Sequence, residues 1–135
     1  YDFYLHKNLL ISSDSLFIGD DDSEWEAKCF WYDGELIFIA ENNRLIKDSV
    51  SVVQILSPSL KTQTGMGVYS SFSKAEPELN FETWKDFPDG NIMFKDIKNP
   101  KLVYVFETIE GIDAMGLNFD IIPDTSKITT ILFNK

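Results

Sequence analysis
The sixteen residues EAKCFWYDGELIFIAE (26–41) constrain the fold more than any other stretch of this chain. Two apolar runs flank Asp33-Gly34. That dipeptide supplies the positive φ angles of a type I′ turn, so the segment is predicted to be a two-residue β-hairpin. Ala27, Cys29 and Trp31 share one face of the first strand; Phe30 and Tyr32 share the other. Leu36, Phe38 and Ala40 alternate with Ile37 and Ile39. Both faces are apolar, which predicts a central hairpin covered on both sides.

Further strands follow from the same logic. VSVVQIL (50–56) is β-branched and stops at Ser57-Pro58, because proline has no N–H to give a ladder. KLVYVFE (101–107) and KITTILF (127–133) read as strands. GNIMFKD (90–96), between the turn signals Asp89-Gly90 and Asn99-Pro100, is another. LLISSDSLFI (9–18) reads as one strand, or as two short ones with a polar turn at Ser12 to Ser15. Helix signal is scarce. Ser73 to Glu76 has capping-box spacing, and Pro77 in the first turn keeps any helix near 71–81 short. A turn of helix near Phe81 to Trp84 is the other helical candidate. The 11 Phe, 5 Tyr and 3 Trp suit strands, where flat rings pack on a pleated surface.

These elements predict an α+β, strand-dominated domain. Its sheet is mostly antiparallel and twisted, with six to eight strands and one or two short helices. The doubly apolar strands favour curling into a partial barrel or a two-layer sandwich. The expected core is Leu16, Ala27, Cys29, Trp31, Leu36, Phe38, Val52, Ile55, Leu102, Tyr104, Phe106, Ile128, Ile131 and Phe133. At 135 residues the chain fits a single domain, 1–135, with a real core. ELIFIAE (35–41) and KLVYVFE (101–107) match in type at nearly every position. This suggests an internal repeat of β-β-loop-β units, about 26–56 and 90–133.

Charge narrows the function classes. Lys plus Arg total 12 against 22 Asp plus Glu, a net −10. Nucleic acids and anionic membranes need the opposite balance. A basic partner, a divalent cation or a neutral ligand is compatible with it. No run of 18 apolar residues is present to span a membrane. The lone Cys29 lies in an apolar alternating run and reads as a buried, inert thiol.

Candidate chemistry is thin. TGMG (64–67) has neither the following lysine of a Walker loop nor the third glycine and long helix of a dinucleotide site. It reads as a turn leading to a serine-started helix. In GDDDSEWE (19–26), Asp20, Asp22 and Glu24 alternate as oxygen ligands for calcium would. The positions where an EF-hand requires glycine and glutamate hold Trp25 and Trp31. The default reading of this cluster is a solvated turn, and a looser calcium loop through Asp20, Asp22 and Glu24 is the alternative. His6, the single histidine, stands near a terminus in YLHKN, without the surroundings of a catalytic site. Trp25 and Trp84, beside polar residues, are candidates for stacking on a carbohydrate or on a protein partner's side chains.

The run from the strand through Ser57-Pro58, Lys61-Thr62, Gly65-Met66-Gly67-Val68 and Ser70-Ser71-Phe72 resembles one found in small exported domains. It is similar to uncharacterised lipoproteins of Gram-negative envelopes, over about residues 35–75. Tyr69 occupies a place where glycine is expected. The resemblance implies a periplasmic or cell-surface location, with lipid anchoring through a removed leader, and the start at Tyr1 without an initiator Met agrees with trimming. It implies no reaction and no functional residues. The expectation is a non-enzymatic exported or envelope domain with a binding or structural role. The alternative is an acidic inhibitor or immunity-type protein that binds a basic enzyme; for it, a cytoplasmic location stays open.

Overall fold
A computed structural model describes residues 10–18, 24–42, 50–86, 91–107 and 122–135. Asp33 and Gly34 both hold positive φ, +49° and +78°, and close the predicted hairpin between β2 (Glu24–Tyr32) and β3 (Glu35–Asn42). The ladder does not run evenly. Trp31 pairs with Leu36, but Phe30 pairs with Phe38, so Ile37 is an extra residue in β3. Its carbonyl accepts the backbone N–H groups of Leu56 and Ser57, at 3.0 and 3.2 Å. The bulge switches the alternation of β3. Leu36 thereby shares the face of Ile39 and Cys29 and packs half-buried against them, while Phe38, also half-buried, takes the other face with Phe30.

The other strands are β1 (Leu10–Ile18), β4 (Val50–Ile55), β5 (Leu79–Asp86), β6 (Ile92–Asp96), β7 (Leu102–Phe106) and β8 (Ile128–Asn134). They form one open antiparallel sheet in the order β1-β2-β3-β4-β8-β7-β6-β5. Two four-stranded meanders thus meet where β4 pairs with β8. The segments proposed as repeats fall on β2–β4 and β6–β8. ELIFIAE lies in β3 and KLVYVFE covers β7, each one strand away from the seam. LLISSDSLFI forms one continuous strand rather than two, because all nine residues of β1 pair with β2.

To reach the far edge, the chain must cross three strands after β4. It does so on one face, as a connector with a tight turn, a short helix α1 (Phe72–Ala75) and a 3₁₀ turn (Glu76–Glu78). Met66, Phe72 and Ala75 of this connector pack with Ile92, Phe94, Leu102, Tyr104, Phe106, Ile128 and Ile131. Phe72 is the hub. Its ring meets Phe106 edge-on at 5.4 Å and lies 6.3 and 6.4 Å from Phe94 and Phe81. Below this layer, the Tyr104 hydroxyl donates to Asp96 at 2.8 Å, while Asp96 also accepts the N–H groups of Lys98 and Asn99. That network satisfies a buried carboxylate and fixes the β6–β7 turn.

Three expectations need correction. The helix cap is Ser71, whose hydroxyl accepts from the Lys74 N–H, and not Ser73. Burying Phe72 against the sheet starts the helix two residues earlier. Phe81 to Trp84 is strand β5, with no helical turn. Leu16 is 57% exposed and outside the core. On the hairpin, Ala27, Cys29 and Ile39 are buried on one face, while on the other Phe30, Phe38 and Ala40 are half-buried and Glu26 and Lys28 exposed.

Candidate functional site
The face that carries the aromatic core continues without interruption past β4, where the cover supplied by the connector of residues 56–78 ends. Register places Asp14, Leu16, Glu26, Lys28, Phe30, Phe38, Ala40, Asn42 and Val50 on this same face. Phe30 and Phe38 stack at 4.3 Å with 19° between their planes. Phe38 pairs with Ile55, which packs against the core. An apolar floor therefore runs from the core into a cleft of about 720 Å³ over β1–β4.

Polar groups rim that floor. Lys28 lies 3.5 Å from Asp14 across the β1–β2 ladder, and the Asn42 amide donates to Glu26 at 3.4 Å. Both contacts are exposed, so they contribute little stability and leave the rim adjustable. Leu16 and Val50 stand exposed at the two sides. The acid excess has the same location. The strands β1–β4 with the Asp33 turn carry Asp14, Glu24, Glu26, Asp33, Glu35 and Glu41 against one cation, Lys28. Over 79–86, 91–107 and 122–135, five acids meet six lysines.

The opposite face of this meander is closed. Cys29 is buried there beside Ala27 and Ile39, with its sulfur 3.6 Å from the Ser15 hydroxyl. The Trp31 indole N–H donates to the Ser13 hydroxyl at 3.3 Å.

Of the site residues singled out in the sequence, Glu24, Trp25 and Trp84 fall among the described residues. Glu24 is exposed at the start of β2; Asp20 and Asp22 lie outside the described residues, as does His6. Among the described residues no three His, Cys, Asp or Glu side chains gather as a metal site would require. Trp25 is half-buried on β2. Trp84 is half-buried on β5, packed against the aromatic core. Six strand intervals separate them along the sheet, so they form no common platform.

TGMG is a tight turn. The Gly65 N–H donates to the Thr62 carbonyl at 3.0 Å, with Gly65 at φ +85°. At Gly67 a Cβ would come within 2.7 Å of the Lys61 side chain and 3.0 Å of the Leu60 carbonyl. Gly65 serves the left-handed backbone of the turn, and Gly67 the close approach of the chain. The next turn runs from Gly67 to Ser70, closed by the Ser70 N–H on the Gly67 carbonyl, and puts Tyr69 at φ +69°. The position where glycine is expected from the sequence thus has the backbone that favours glycine.

Sequence reasoning missed the trough itself. Its signal was present in EWEAKCF, where Glu24, Glu26 and Lys28 alternate with Trp25, Ala27 and Cys29. A strand face with three charges faces water, whatever its other side does.

No family model and no curated protein matches the chain. Among solved structures it is similar to the uncharacterized protein YfeY from Escherichia coli, with a TM-score of 0.70 at 10% identity. The superposition covers 93% of this chain and 82% of that one. At that identity the likeness speaks for the fold.

Proposed function
We propose that the chain is a non-enzymatic binding domain of the cell envelope that receives a basic protein surface on the open face of β1–β4. One observation carries the reading: the cleft with its apolar floor and the acid excess of the described residues lie on the same meander. Apolar contact area supplies affinity, and complementary charge steers approach and rejects acidic surfaces. Envelope location rests on the sequence resemblance over residues 35–75. The second reading, an acidic inhibitor or immunity-type protein on a basic enzyme, uses this same surface. A carbohydrate platform has less support, because Trp25 and Trp84 stand so far apart.

The test begins with capture of partners on the immobilised chain and continues with two variants. Leu16→Asp and Glu26→Lys change exposed positions and should leave the melting temperature near that of the parent. A genuine partner should be basic, should be released by salt, and should bind each variant at least about tenfold more weakly. A partner that binds both variants as well as the parent overturns the assignment of this face. Fractionation of the full-length gene product in its native host tests the location: recovery in the cytosol overturns the envelope part.

A further inference from the structure
The two edges of the sheet are built differently. At β5 the ladder is broken. Between the pairs Asn80↔Lys95 and Lys85↔Met93, four residues of β5 oppose one of β6. The Thr83 hydroxyl donates to the Asn80 carbonyl at 2.7 Å and accepts the Lys95 N–H at 3.0 Å; the Glu82 N–H turns to the Asn80 side chain. Such an irregular edge is a poor template for another strand. At β1 the ladder is regular from Leu10↔Tyr32 to Ile18↔Glu24, with no bulge. The strand LISSDSLFI has no proline and one charge, Asp14. Among the described residues no strand pairs with its outer edge.

We propose that β1 is an acceptor edge, on which an extended partner segment of alternating basic and apolar residues adds as a ninth strand. The proposal rests on the binding reading above and names the form of its partner. A ninth strand would lie about 4.8 Å beyond β1, with alternate side chains over the trough beside Asp14 and Leu16. Its other side chains would lie beside Ser13 and Ser15. Six acids against one lysine on β1–β4 select a basic segment and set a second copy of this chain at a disadvantage, because two such edges repel.

A capped decapeptide of alternating lysine and valine is the probe, with a lysine–serine decapeptide of equal charge as the control. Amide exchange is read by NMR on the intact chain. The expected result is at least about tenfold slower exchange at every second amide of β1 with the lysine–valine peptide, and much less with the control. Ser12→Pro and Ser13→Pro provide a second arm. One of these neighbours directs its N–H outward, so its replacement should abolish protection while the chain stays folded. Asp14→Lys should weaken binding about tenfold or more.

Binding that perturbs Phe30 and Ala40 without protecting β1 overturns strand addition and leaves the binding reading standing. No binding at about 1 mM peptide overturns strand addition. Protection of β1 that rises with protein concentration alone identifies a second copy as the occupant, and overturns the proposed partner.

Discussion

The meanders β1–β4 and β5–β8 share one connectivity and meet at one antiparallel seam, but among the described residues only the second has a roof. The difference arises in the connector. A chain leaving the central β4 for the far edge must cross β8, β7 and β6, and it brings Met66, Phe72 and Ala75 over them. The strands beneath match that cover. β7 reads LVYVF without a charge, and Tyr104, Phe94 and Phe106 are buried to 1% exposure or less. The strands of the other meander match water, with Glu24, Glu26 and Lys28 spaced along β2. Topology therefore decides which half becomes scaffold, and the face left open is where a partner has room.

The largest expected break in this comparison comes from the hub of the covered half. Phe72→Ala should cost about 3–5 kcal/mol, read as a lower urea midpoint. Phe30→Ala, on the same face of the open half, should cost about 1–2 kcal/mol, because Phe30 is only half-buried. Equal losses would mean that the open half has a cover of its own. Next comes Tyr104→Phe, which removes the buried hydroxyl from Asp96 and should cost about 1–3 kcal/mol in the same assay. Smaller, and opposite in sign, is Tyr69→Gly. Relief of the left-handed backbone at a 64% exposed residue should raise stability by up to about 1 kcal/mol, whereas Tyr69→Ala should give no gain. The smallest effect belongs to Leu16→Ser at the trough rim. Its stability should stay within about 0.5 kcal/mol of the parent, while partner binding falls.

Legibility in the sequence followed local chemistry. Asp33-Gly34 announced its hairpin and Pro58 its strand end, since both act within a few residues. The α+β, strand-dominated class followed from the runs between such signals. The register shifts did not show. One extra residue at Ile37 exchanged the faces of β3, and the four-against-one stretch at Phe81 to Trp84 disguised β5, because alternation fails where register slips. The trough was half legible. The charged face of β2 was readable, but the absence of a cover depends on where the connector of residues 56–78 runs, and no local pattern encodes that path. The calcium candidate Asp20, Asp22 and Glu24 depended on spacing alone, and spacing does not say which side chains converge.

The central claim is that one half of the sheet is covered scaffold and the other an open face. Native-state amide exchange across both meanders tests it most directly. Amides of β7 and β8 should exchange only with global unfolding, while those of β1 and β2 should exchange through local openings of lower free energy. Uniform protection across the eight strands, or slower exchange in β1 and β2 than in β7 and β8, would contradict it.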